Sequence, residues 1–128
     1  MTLRCVIVDD NPDVLRAASD LLAGQGIAVV GVAATSGEAV PLVEERAPDV
    51  ILVDIALGQE SGIELTRRLG QSRSGAGPDV ILISTHDEAD YGDLIAASPA
   101  IGFLPKTELS ATAIRRLLAR ANARRGKR

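Results

Sequence analysis

Aromatic residues are nearly missing from this chain: it has one Phe, one Tyr and no Trp in 128 residues. There is therefore no platform on which single-stranded bases would stack, and the core must be aliphatic. Cysteine occurs once, at Cys5, so no internal disulfide can form. Set in an apolar run, that thiol reads as a small buried hydrophobe. No apolar run approaches the ~20 residues of a membrane helix, and no signal peptide is seen, so the chain reads as soluble and cytoplasmic, with no membrane partner. Acids vanish after Glu108. All 17 lie at or before it, while seven of the 14 Lys and Arg fall between Arg115 and Arg128, leaving −10 up to Ile114 and +7 beyond. An acidic body argues against nucleic-acid binding by the whole domain. The basic end reads as the wet face of a last helix running into a frayed terminus.

What is present is an alternation of two patterns, in a length that suits one domain with one core. Apolar, β-branched runs at 3–8, 27–33, 50–53, 80–84 and 100–104 read as strands. Between them lie helical stripes. Asn11-Pro12 supplies an N-cap and a first-turn proline, and Gly24 and Gly26 close that helix. Thr35-x-x-Glu38 and Ser61-x-x-Glu64 read as capping boxes for the second and third helices. Pro41 is expected to loosen the second helix. A weak fourth helix is expected over 87–97. A last amphipathic helix is marked by Leu109, Ala113, Ile114, Leu117, Leu118 and Ala121. The Gly/Ser-rich stretch 70–78 reads as a surface loop. Five strands alternating with five helices predict an α/β domain, doubly wound around a five-stranded parallel sheet buried on both faces.

In such a sheet, ligands collect at the carboxyl ends of the strands. Four strand ends here deliver polar groups: Asp9-Asp10, Asp54, Ser84-Thr85 and, just past the fifth strand, Lys106. Each alone reads more readily as a cap or turn residue; their joint placement at one edge is the informative feature. Carboxylates gathered there repel and need a cation, and hard oxygen ligands suit Mg²⁺.

The set Asp9-Asp10, Asp54, Ser84-Thr85 and Phe103-Leu104-Pro105-Lys106, with the stretch from Asp54 to Gly62, resembles a response-regulator receiver domain of two-component systems. The resemblance runs from Leu3 to about Ala121. It implies a flavodoxin-like fold with strand order 2-1-3-4-5. It also implies Asp54 as acceptor of a phosphoryl group from a histidine kinase or phosphotransfer protein, Asp10, Asp54 and the Ala56 backbone carbonyl as Mg²⁺ ligands, and Asp9 holding the ion through water. Lys106 and Ser84 would contact phosphoryl oxygens. Ser84 and Phe103 would switch the surface of the fourth helix, fifth strand and fifth helix, where a phosphorylation-dependent homodimer could form if Arg115, Arg116, Arg120 and Arg124, otherwise the wet face of the last helix, paired with Asp90 or Asp93 of a second copy. Slow self-dephosphorylation is the only turnover expected, so the chain is not read as an enzyme.

The wording of 102–110 resembles receivers that precede a LuxR-type DNA-binding domain (the NarL/LuxR-like group), and also stand-alone relatives of them. DNA contact is expected only through an output domain absent from these residues. Residues 1–124 are assigned to the receiver and 125–128 to a basic tail. Thr107 stands where many such domains have proline, so the Lys106–Thr107 bond is trans or strained. Thr85 is large for its position, Ala56 offers no side-chain hydrogen bond to water, and His86 and Tyr91 read as a solvated residue and a core cap. Two other classes stand beside the main one. One is a phosphate-independent docking pseudo-receiver. The other is a haloacid-dehalogenase-like aspartyl-phosphate phosphatase, against which Asp9-Asp10-Asn11 in place of Asp-x-Asp argues.

Overall fold

The computed structural model describes residues 2–70, 78–85 and 92–126. Five parallel strands form the sheet: β1 (Arg4–Val8), β2 (Ala28–Ala33), β3 (Val50–Asp54), β4 (Asp79–Ser84) and β5 (Gly102–Pro105). Their order is β2-β1-β3-β4-β5, as the resemblance implies. The helices are α1 (Pro12–Gly24), α2 (Ser36–Arg46), α3 (Gly62–Gly70), α4 (Gly92–Ala96) and α5 (Ala111–Gly126). The expected start of the fourth helix, with Asp90 and Tyr91, lies outside the described residues, as do His86 and residues 71–77 of the expected loop.

Strand periodicity sorts the core into two layers. Cys5 and Ile7, Val50 and Leu52, and Ile81 and Ile83 point to one face, where they pack with α1 and α5. Val6 and Val8, Ile51 and Val53, and Val80 and Leu82 point to the other, against α2, α3 and α4. Both faces are covered, so the strands are continuously apolar rather than alternating. Each fully buried Val, Leu or Ile contributes about 1.5–3 kcal/mol. Eleven of these twelve side chains are wholly solvent-free, the exception being Val80 at 4%.

The caps form much as their spacing predicts. Asn11 accepts from the Asp13 N–H at 2.9 Å, and Thr35 Oγ1 from the Glu38 N–H at 3.2 Å. Glu38 reaches back to the Ala34 N–H at 2.8 Å, one residue before the cap. Pro41 sits inside a continuous α2. It and Gly37, whose carbonyl it leaves unpaired, are both exposed, so water can serve that carbonyl. The fifth strand is displaced from 100–104 to Gly102–Pro105; a proline is tolerated because β5 is an edge strand. Leu109 precedes the last helix, whose cap is Ser110, with Oγ accepting from the Ala113 N–H at 3.0 Å. That helix continues to Gly126, so Arg125, assigned to the basic tail, is helical. It grips Asp79 through both terminal nitrogens, at 2.7 and 3.0 Å. The remaining arginines named for the wet face, Arg115, Arg116, Arg120 and Arg124, are exposed. No peptide bond among the described residues is cis, so Lys106–Thr107 is trans.

Candidate functional site

Because β1, β3, β4 and β5 are parallel neighbours, their ends converge on one edge. Asp9 follows β1 and is fully buried; Asp54 closes β3 and is 5% exposed. Asp10 is exposed. Carboxylate oxygens of all three lie within 4.8 Å of one another. Lys106, on a single 3₁₀ turn directly after β5, places Nζ 2.7 Å from Asp9 Oδ2 and 3.3 Å from Asp54 Oδ2. Asp9 Oδ1 accepts from the Asn11 N–H at 2.9 Å, and Asp54 Oδ1 from the Ala56 N–H at 3.3 Å. Ser84 ends β4, buried and in register with Pro105. Thr85 beyond it is exposed. Phe103 lies on β5 opposite Leu82, half-buried against the α2–α3–α4 layer.

The electrostatics are unbalanced. Burial pushes the Asp54 carboxyl above its ordinary range, and Asp9 pushes it further; Lys106 and the Ala56 N–H only partly offset this. Burial pulls the Lys106 ammonium down, but Asp9 and Asp54 more than reverse that, and it ends above its usual value. Among the described residues, three carboxylates face one ammonium. Asp9 Oδ2 has no aligned hydrogen bond despite full burial; the close Lys106 charge is its compensation. Such a donor set, all hard oxygens with an excess of two negative charges, fits a divalent cation.

One feature of the site was not legible in the sequence. Between Asp54 and α3 the chain forms a short antiparallel hairpin, Ala56–Leu57 against Glu60–Ser61. Gly58 turns it at φ +58°, and a Cβ there would lie 3.5 Å from Asp10 Oδ2. The hairpin returns so tightly that a Cβ on Gly62 would fall 1.9 Å from the Asp54 carbonyl oxygen, which only glycine permits. Glu60 accepts from the Ser36 N–H at 2.9 Å and the Ser36 Oγ–H at 2.7 Å. These bonds hold its carboxyl below the ordinary range. Two-residue limbs carry no periodicity, and Ser36 and Glu60 are too far apart in sequence for any local pattern.

Residues 5–119 match the family model for the response regulator receiver domain. The chain belongs to that family. Its curated relatives include transcriptional regulators. This receiver is 36% identical over 115 residues to the transcriptional regulatory protein DegU of Brevibacillus brevis, covering 88% of this chain and 47% of DegU. It is 29% identical over 106 residues to the DNA-binding transcriptional activator EvgA of Escherichia coli, covering 83% of this chain and 51% of EvgA. The receiver thus spans about half the length of the curated relatives it matches. Among solved structures it resembles a LuxR-family two-component response regulator from an Aurantimonas species, with 32% identity and a TM-score of 0.82 over 93% of this chain and 86% of that one. It also resembles the receiver domain of the response regulator NarL of Mycobacterium tuberculosis, with 26% identity and a TM-score of 0.79 over 94% and 97%. No helix among the described residues is long and apolar enough to cross a membrane.

Proposed function

We propose that this receiver accepts a phosphoryl group on Asp54 from a histidine kinase or phosphotransfer protein, with Mg²⁺ held by Asp10, Asp54 and the Ala56 carbonyl and steadied by Asp9. The observation that carries this is the excess of carboxylate over ammonium around a buried strand-end aspartate. A bound Mg²⁺ would neutralise charge on the transferring phosphoryl group. An Asp54 carboxylate oxygen attacks phosphorus, the P–N bond to the donor imidazole breaks, and an acyl phosphate remains. Lys106, now shared between Asp9 and Asp54, is close enough to follow the new anion. Ser84, at the neighbouring strand end, donates its hydroxyl to another phosphoryl oxygen.

Drawing Ser84 inward frees room for Phe103 to turn in, which carries the signal to the surface of α4, β5 and α5 as a population shift. That surface either forms a homodimer or meets an output domain or partner. The donor would dock beside the site, where Val14, Ala17, Ala18, Leu21, Ile83, Lys106 and Leu109 line a groove of about 210 Å³. The protein acts as a phosphoacceptor, not a turnover enzyme, its acyl phosphate hydrolysing slowly. A cytoplasmic setting suits its single reduced thiol.

The test is incubation with acetyl phosphate and Mg²⁺, read by intact mass. Wild type should gain about 80 Da, one phosphoryl group, only with Mg²⁺, and Asp54→Asn should gain nothing. No gain together with no beryllofluoride binding would refute the proposal in favour of a docking module.

A further inference from the structure

Resting on the metal site proposed above, we infer that Glu60 is a positioning residue: through Ser36 it anchors the 56–61 hairpin to the start of α2, and so sets the divalent-cation affinity of the Asp9–Asp10–Asp54 cluster. The hairpin needs an anchor. Limbs of two residues are far below the length at which paired strands hold themselves. Leu57 is buried and pins the inner limb from beneath. On the outer limb, Glu60 spends both carboxylate oxygens on Ser36, although its side chain is exposed.

The helix gains one partner from this contact. Thr35 and Glu38 already cap α2. The Ser36 N–H is one of the first-turn donors without an intrahelical partner, and a carboxylate there is favoured by the helix dipole. The same contact ties the outer limb of the hairpin to that first turn. The inner limb holds Ala56, whose N–H grips Asp54, and the turn at Gly58 passes so near Asp10 that an added Cβ would lie 3.5 Å from its Oδ2. Releasing the outer limb loosens two of the three groups that face the cation.

The experiment titrates Mg²⁺ by calorimetry into wild type, Glu60→Ala, Glu60→Gln and Ser36→Ala, and follows amide exchange at residues 56–61 without metal. Glu60→Ala should weaken Mg²⁺ about tenfold, the low end for outer-shell partners. Ser36→Ala, which removes no charge, should weaken it in the same direction, and Glu60→Gln, still an acceptor, should recover part of the loss. Exchange at 56–61 should quicken in Glu60→Ala. Unchanged Mg²⁺ affinity in both alanine variants overturns the inference, as does a loss in Glu60→Ala with none in Ser36→Ala, which would mark a bare charge effect. If wild type itself binds no Mg²⁺, the metal proposal fails, and with it the affinity role; metal-free exchange then decides whether the anchor itself exists.

Discussion

Aspartates stand at both edges of this sheet, in opposite circumstances. At the amino edge, Asp49 precedes β3 and accepts the Arg4 N–H at 2.9 Å, while Asp79 opens β4 in the two-pronged grip of Arg125. The Arg4 guanidinium meets the Ala47 carbonyl at 3.0 Å, just where α2 ends in a left-handed residue. Each acid there has its own donor. At the carboxyl edge, buried Asp9 and Asp54 share Lys106, with the exposed Asp10 carboxylate beside them. One edge is satisfied and shielded by water; the other buries two of its acids and is short of positive charge. The contrast teaches where this fold holds unspent electrostatic energy: only the second edge improves when a cation arrives.

The most damaging test of the contrast removes Lys106. Lys106→Ala should cost about 2–4 kcal/mol in metal-free denaturant unfolding, because Asp9 is left buried with no counter-charge. A loss no greater than that of an amino-edge pair would erase the distinction. Relieving the crowding comes next. Asp54→Asn should stabilise the metal-free protein at neutral pH by about 1 kcal/mol, the usual scale for removing an uncompensated buried charge. The sign follows from the raised Asp54 carboxyl. Its contribution is intact in acid, where folded and unfolded chains are both protonated, and is lost as pH rises through the raised folded value. Wild type and variant should therefore converge in acid and separate on the alkaline side, and Mg²⁺ should reverse their order. A difference independent of pH would contradict this. The smallest effect belongs to the amino edge. Arg125→Ala should cost at most about 1 kcal/mol, since that pair is half-exposed and screened by salt.

Much of this was open to the sequence because the fold repeats one rule. Apolar runs between capped helices give parallel strands, and acids that close Cys5–Val8 and Val50–Val53 then share an edge whatever the details. The two Ser/Thr-x-x-Glu spacings gave helix starts to within a residue. What escaped was non-local or very short. The hairpin at 56–61 is too brief for periodicity, and the pairs Ser36–Glu60 and Asp79–Arg125 join residues that only the tertiary fold brings together. Charge near a terminus usually frays, which is why the sequence reads as a tail from Arg125; Ala and Arg, both good helix formers, instead carry α5 onward to Gly126, and Asp79 holds Arg125. Leu109 was counted into the helix because its spacing fits; the Ser110 cap overrules spacing.

The single thiol supplies a clock. Cys5 lies on β1, the second strand of the sheet, wholly screened, and burial pushes its pKa up to about 12. A folded molecule therefore offers a thiol reagent neither access nor thiolate. Modification must wait until β1 separates from its neighbours, which is close to global opening. Each labelled molecule then records one such excursion, so the labelled fraction against time reads how often the whole domain lets go.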